Sequence, residues 1–236
     1  MFSESVELYD TIYGAMKDYR AEARAIAERI ERVKPGARTV LDIACGTGEH
    51  AKHLAADSGL AVDGIDLEPG FVAVAAAKNP AGRFVRADMR DFDLGRTYDA
   101  VICMFSSIGY AGDAAGVTAA LRCFRAHAAP GGAIVVEPWF APDQFRDAHV
   151  SMLTVDNESL KLCRMSRSHV IGRRSLVHFE YLIGRPGSDL VRASEDHELA
   201  LLTVDEMRAC FHDAGLECEH DPKGPMGRGL FVARAA

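Results

Sequence analysis

The sequence predicts an α/β fold, a doubly wound and mostly parallel seven-stranded sheet (Rossmann-like) with a small antiparallel β-sheet inserted late in the chain. Three observations predict it. A β-branched and apolar run, Thr39 to Ala44, stops at Gly46-Thr47-Gly48 and hands over to a helical pattern from Glu49, which reads as buried strand, tight turn and helix. Further apolar runs alternate with helical stretches as far as Trp139, the pattern of a parallel sheet wound on both faces. From about Met152 the period changes to two, with hairpin signals between the segments.

Taken in order, the first forty residues are helical. Tyr9, Tyr13 and Tyr19 flank a break at Gly14, Ala21 to Val33 has apolar residues at helical spacing, and Pro35-Gly36 stops that helix. Strands follow at Thr39 to Ala44, Leu60 to Asp66, Arg83 to Asp88, Tyr98 to Phe105 and Ala133 to Trp139, with Pro69 opening one of the intervening helices and another running from about Ala114 to Ala128. The alternating segments Leu160 to Val170, Ser175 to Gly184 and Val191 to Leu202 are separated by Gly172-Arg173-Arg174 and Pro186-Gly187-Ser188-Asp189, which makes them antiparallel neighbours. Thr203 with Glu206 forms a capping box for a helix ending at Gly215, and Leu216 to His220 and Gly229 to Ala233 close the chain as strands. The expected organisation is a cofactor-binding core with a helical cap over 1–150, a lid over 151–202 and a return to the core over 203–236.

Composition narrows the function. The 236 residues carry a net charge of −7 and show no basic patch, which argues against nucleic-acid and membrane-surface partners. The six cysteines are scattered without a C-x-x-C, so reduced core residues are expected and no metal site. The acidic start, Met1 to Glu7, lacks the apolar run of a signal peptide and no window is long enough to cross a bilayer. A soluble cytoplasmic protein is expected; a homodimer is left open.

The chemistry is carried by the carboxyl ends of the first strands. Gly46-x-Gly48-x-x-Ala51, with Asp66 about one strand later, also satisfies the dinucleotide pattern, so spacing alone does not separate a nicotinamide enzyme from one that uses S-adenosylmethionine. Asp42 inside the strand before the glycines, a second carboxylate at Asp88 with Met89 beside it, and the closing strand hairpin decide for the latter.

These residues resemble a class I S-adenosylmethionine-dependent methyltransferase. The resemblance implies that Asp42, Ala44, Gly46 and Gly48 hold the methionine part of the cofactor. It gives Asp66 with Leu67 to the ribose, and Asp88 with Met89 to adenine. Met104 and Phe105 border the same crevice, and Tyr9 and Tyr19 close over it as part of the cap. A closer resemblance lies in Asp88-Met89-Arg90-Asp91-Phe92, in Cys103 to Gly109, in Val135-Val136-Glu137-Pro138-Trp139 and in Gly224 to Phe231. Glu7-Leu8-Tyr9-Asp10 and Lys17-Asp18-Tyr19 extend it to the amino terminus. These stretches resemble the nucleotide-sugar N,N-dimethyltransferases that act on dTDP-3-amino-3,6-dideoxyhexoses in antibiotic pathways. One departure is visible: Tyr110 follows Ile108-Gly109 where those enzymes usually place a histidine near the amine.

The expected reaction is therefore in-line methyl transfer to the amine of a dTDP-aminodeoxysugar, with S-adenosylhomocysteine as product. Tyr110 is the first candidate to orient or deprotonate the amine. Glu137, ending the fifth strand, either faces the same crevice or bonds nearby backbone as a structural carboxylate. His178 and His197 lie on inserted strands, placed to line the acceptor pocket, with His178 a further catalytic candidate. Arg228 sits between two glycines, where a guanidinium can grip phosphate bidentately, and Trp139 either stacks on the nucleobase or closes the core. The competing readings are methylation of another small-molecule amine or hydroxyl, a non-catalytic S-adenosylmethionine-binding protein, and an NAD-dependent oxidoreductase.

Overall fold

The computed structural model describes residues 6–225 and 227–236. The acidic start over residues 1–5 and Met226 of the tail motif lie outside the described residues. The chain begins with α1 (Val6–Gly14) and α2 (Tyr19–Val33), then alternates β1 (Thr39–Ile43), α3 (Glu49–Ser58), β2 (Ala61–Asp66), α4 (Pro69–Lys78), β3 (Phe84–Arg86) and β4 (Tyr98–Cys103). A 3-10 turn at Ser107–Ala111 and α5 (Ala114–His127) lead to β5 (Ala128–Val136). The antiparallel strands β6 (Val150–Asp156), β7 (Lys161–Ile171), β8 (Arg174–Gly184) and β9 (Val191–Ala200) come next. Then α6 (Val204–Asp213), β10 (Cys218–Asp221) and β11 (Leu230–Arg234) return to the main sheet. Among the described residues no helix is long and apolar enough to cross a membrane.

The main sheet has seven strands in the order β10-β11-β5-β4-β1-β2-β3, parallel except for β11, which runs antiparallel to both of its neighbours. Successive residues of its central strands point to opposite faces, and both faces are covered. Leu41, Ile43, Val101, Cys103, Ile134 and Val136 pack under α5 and α6, on Phe124 and Phe211 among others. Val40, Ile102 and Val135 pack on the other side under Ile26, Ile30 and Leu54 of α2 and α3. A third cluster joins Leu8, Tyr9, Ile12 and Tyr13 of α1 to Leu162, Tyr181 and Ile183 of the inserted sheet. The first helix is therefore wedged beside the inserted sheet.

The structure adds a strand to the three expected in the insertion. β6 pairs with β7 from Val150↔Arg167 to Asp156↔Lys161. Most of its residues are exposed, so it carries no clear two-residue hydrophobic signal. β5 also starts before the Pro130-Gly131-Gly132 expected to precede it, accommodating those residues with a register shift opposite Tyr98 and Ala100. β4 ends at Cys103, short of the expected Phe105, because Phe105 and Ser106 adopt left-handed backbone (φ 53° and 62°).

The strand order places β1 between β4 and β2, so the chain reverses direction of travel there and leaves a crevice beyond the strands' carboxyl ends. Both central strands leave through left-handed residues, Ala44 (φ 53°) after β1 and Phe105-Ser106 after β4. For non-glycine residues this conformation is strained, and such strain gathers at functional sites.

Gly48 caps α3 with φ 76°. A Cβ there would come within 2.6 Å of the Asn79 amide nitrogen and 3.1 Å of the Ala75 Cα. Replacing Gly48 by Ala combines a strained left-handed φ with a displaced Asn79 amide and a tight approach to the Ala75 backbone, and urea denaturation is expected to show a loss of about 2 kcal/mol.

Candidate active site

The loop after β1 turns through Ala44 and Gly46 (φ 53° and 55°), which brings bare backbone to the crevice. Asp66, at the end of β2, ties the neighbouring loops together: Gly46 N donates to Oδ2 at 2.8 Å and Glu68 N donates to Oδ1 at 2.9 Å. Burial raises the Asp66 carboxyl while those N–H groups draw it back. A cleft of about 730 Å³ runs past Ala44, Gly46, Asp66 and Leu67 to Asp88 and Met89, with Tyr9, Ser107 and Tyr110 along its other wall. Arg90 folds back on Asp88, its Nη2 donating at 2.6 Å and its Nε at 3.0 Å, and holds that carboxyl below the usual carboxylate range.

A narrower void of about 330 Å³ continues inward past Asp42, Met104, Phe105, Tyr9 and Tyr19. Asp42 is 1% exposed and its Oδ2 has no hydrogen-bond partner. Burial, with Asp66 nearby, pushes its carboxyl from 3.8 up to about 8. A lone buried carboxyl in a cavity wall is an acceptor awaiting a cation or donor.

The third cavity, about 790 Å³, lies under the inserted sheet. Its walls are Trp139, Arg164, Phe179, His197 and Arg228, with Tyr9, Ser107 and Tyr110 shared with the first cleft. Trp139 is held in place by donating from Nε1 to Ser175 Oγ at 2.8 Å. The Arg228 guanidinium lies 5.2–5.7 Å from the ring centres of Phe140, Trp139 and Phe105. Its Nε and Nη2 are buried without hydrogen-bond partners, and Nη2 is 3.7 Å from Glu137 Oε1. A desolvated guanidinium with spare donors suits a multiply charged anion.

The cap helix is latched over the glycine loop. The Thr47 hydroxyl donates to Asp10 at 2.5 Å, and Lys78 bridges Asp10 and Glu49, reaching the latter at 2.7 Å. Below it Lys17, which burial pulls down and Glu22 pulls back up, sits 2.7 Å from Glu22 and 3.9 Å from the centre of the Phe105 ring.

Three expected site residues are placed elsewhere. His178 faces outward on β8, half exposed, bonded to Asp196 at 2.7 Å and Glu180 at 3.2 Å. Its neighbours Val177 and Phe179 line the cavity instead, because adjacent strand residues point to opposite faces. Glu137 is fully buried and borders none of the three cavities. Its Oε2 accepts from Phe105 N at 2.7 Å, and Oε1 faces Arg228, so it bonds backbone and a cation rather than facing the crevice. Gly48 lines none of the three cavities either; a Cβ there would meet Asn79 and Ala75 of α4 and its cap.

Comparisons with known proteins agree with one another. A methyltransferase domain model matches residues 40–132. A dTDP-3-amino-3,6-dideoxy-alpha-D-glucopyranose N,N-dimethyltransferase from Streptomyces fradiae is 42% identical over 230 residues, covering 97% of this chain and 90% of the relative. The crystal structure of DesVI from Streptomyces venezuelae superposes with a TM-score of 0.93 at 37% identity over 99% of both chains. The chain belongs to the aminodeoxysugar N,N-dimethyltransferase family. CalS10, an amino pentose methyltransferase from Micromonospora echinaspora solved with S-adenosylmethionine bound, matches with a TM-score of 0.88 and 36% identity over 97% of each chain.

In this member of the family several cavity residues had escaped sequence reasoning. Ser107 borders all three cavities, and Tyr13, Arg164 and Phe179 border the third. His197, expected at this pocket, does line it, and Arg164 and Glu195 were accessible in principle as buried polar residues on strands whose register a hairpin fixes. Ser107 carries no such signal, because it depends on the left-handed turn at Phe105 and Ser106.

Because Asp42 holds its proton more tightly folded than unfolded, its contribution to stability is complete below about pH 4 and lost as pH rises through 8. Without ligand, Asp42→Asn is expected to flatten the fall in stability between about pH 6 and 8.5 by about 2 kcal/mol, measured by urea titration. The same variant is expected to bind S-adenosylhomocysteine about tenfold more weakly at pH 8, measured by calorimetry.

Proposed function

We infer that this enzyme transfers methyl groups from S-adenosylmethionine to the amine of a dTDP-linked aminodeoxysugar. The observation that carries this reading is the meeting of the two large cavities at Tyr9, Ser107 and Tyr110. One cavity follows the loops after β1, β2 and β3; the other is roofed by the lid. The relatives from Streptomyces fradiae and Streptomyces venezuelae, both named for dTDP-3-amino sugars, support the choice of acceptor.

The donor fits the residues present. The unpaired oxygen of Asp42 suits its ammonium group, Asp66 retains lone pairs for the ribose hydroxyls beyond its two N–H bonds, and Leu67 and Met89 offer apolar surface beside Asp88 for adenine. When bound, it supplies a methyl group already activated as a sulfonium, so the protein's task is alignment and exclusion of water. Tyr9 and Tyr19 cover the crevice from the cap, Tyr110 orients the amine, Trp139 offers its ring to the base, and Arg228 takes the pyrophosphate. The chain accordingly works as a donor-binding core and cap over 1–150, a lid over 151–202 and a return segment over 203–236. Val150, Met152, Met165 and Leu182 are exposed on the outer face of the lid sheet, which supports pairing with a second copy of the chain.

Mass spectrometry of dTDP-3-amino-3,6-dideoxyglucose incubated with enzyme and S-adenosylmethionine is expected to show the addition of methyl groups. Bound S-adenosylhomocysteine with no methylation of this sugar or its 4-amino isomer would overturn the acceptor assignment. Arg228→Ala is expected to raise KM for the nucleotide sugar by about a hundredfold while changing that for the free aminosugar little. Equal effects on both would remove its phosphate role.

A further inference from the structure

The lid sheet places a second titratable chain against Tyr110. The Tyr110 hydroxyl lies 2.9 Å from Nδ1 of His197, and Nε2 of that ring lies 3.3 Å from Glu195 Oε2. Both lid side chains are 2% exposed. The two bonds leave from opposite sides of the imidazole, so the ring bridges phenol and carboxylate. Tyr110 borders both large cavities, while His197 borders only the one under the lid.

We propose that Tyr110, His197 and Glu195 form a proton relay that deprotonates the acceptor amine, the lid histidine acting through the phenol. This rests on the acceptor assignment above. A sugar amine arrives as an ammonium ion and has no lone pair until a proton leaves. The ammonium proton passes to the Tyr110 oxygen as the phenolic proton passes to His197 Nδ1. The imidazolium keeps its Nε2 proton directed at Glu195, and the amine is left with its lone pair. The extra proton leaves the imidazolium for solvent when the site reopens, so the net change is one proton released for each lone pair exposed. Tyr110 cannot store the charge itself, because burial raises its pKa; it must give a proton when it takes one. Charge in the relay is therefore carried by the imidazole, opposite a carboxylate, the arrangement that stabilises an imidazolium in hydrolytic triads.

The groups packed around the pair are consistent with this direction. Tyr13 comes from α1, Arg164 from β7, and Phe179 and Tyr181 from β8, with the Phe179 ring centre 5.0 Å from that of His197. Tyr181 donates to Glu195 at 3.4 Å and Arg164 to the Tyr13 hydroxyl at 3.2 Å. Arg164 is thus bonded to a phenol, and Glu195 is the carboxylate bonded to His197. By acting through Tyr110, His197 and Glu195 are positioning residues.

The test compares Tyr110→Phe, His197→Gln and Glu195→Gln with wild type in two measurements. The first is kcat for dTDP-3-amino-3,6-dideoxyglucose from about pH 6 to pH 10. Tyr110→Phe and His197→Gln are expected to lose about a hundredfold below neutrality and to converge on wild type at high pH, where the amine is neutral unaided; Glu195→Gln should fall between. The second is nitrogen NMR of labelled histidine in the S-adenosylhomocysteine complex, expected to show neutral His197 with its proton on Nε2. Uniform loss at every pH, or unchanged profiles, would overturn the relay while leaving the acceptor assignment standing. A proton found on Nδ1 would overturn it without any turnover measurement. A wild type that methylates neither aminosugar isomer would overturn the acceptor assignment and the relay together.

Discussion

A single buried carboxylate organises this site without lining it. Glu137 ends the run of β5, has no exposure, and accepts a hydrogen bond from Phe105 N. That bond holds the first of two consecutive left-handed residues, a conformation that persists only where its surroundings over-determine it. The Ser106 hydroxyl adds a second tie by donating to Pro138 O at 2.6 Å. From this pinned corner the chain enters the 3-10 turn that carries Ser107 and Tyr110 to the junction of the cavities. The Phe105 ring in turn packs edge-on to Tyr13 and lies under the charged ends of Lys17 and Arg228. Removing the carboxylate would release the strained corner and leave two buried cations with less to balance them.

The main sheet was legible because its strands are buried on both faces and read as unbroken apolar runs between glycine-rich turns. The position of Asp66 and Asp88 beside the first cleft, and of Asp42 beside the narrower void, was legible for a related reason: they sit near or just beyond strand ends, where sequence position already implies location. Side-chain direction was not. Glu137 and His178 were placed on the correct elements and yet turn away from the cavities, because direction at a strand depends on pleat and on the turn that follows. β6 escaped because an edge strand with little burial shows no periodicity. The latch through Asp10, Thr47 and Lys78, and the pairing of Lys17 with Glu22, join residues distant in sequence and have no local signature.

The polar groups of the two cavities differ in what burial does to them. On the donor side Asp42 is left unpaired and protonated more readily than in water, a cost that a cationic ligand would offset. Under the inserted sheet His197 is bonded to Tyr110 and Glu195, and Arg164 to Tyr13, while Arg228 keeps Nε and Nη2 without hydrogen-bond partners. Satisfied networks rigidify the wall they form. The wall at His197 is thus held by its own bonds, while Asp42 beside one cavity and Arg228 beside the other keep buried polar atoms without partners.

The pleat of the lid carries a consequence for how such enzymes can change. Val177 pairs with His197 across β8 and β9, and the next rung pairs His178 with Asp196. Each face of the ribbon therefore bears its own histidine and carboxylate, one set enclosed and the other bathed in solvent. Sliding one strand by a single residue would exchange the enclosed set for its outward counterpart. Point replacements can reshape this wall gradually, and so can length changes of two residues. A single-residue insertion or deletion within β9 would turn the wall inside out, exchanging an enclosed histidine and carboxylate for a solvated pair.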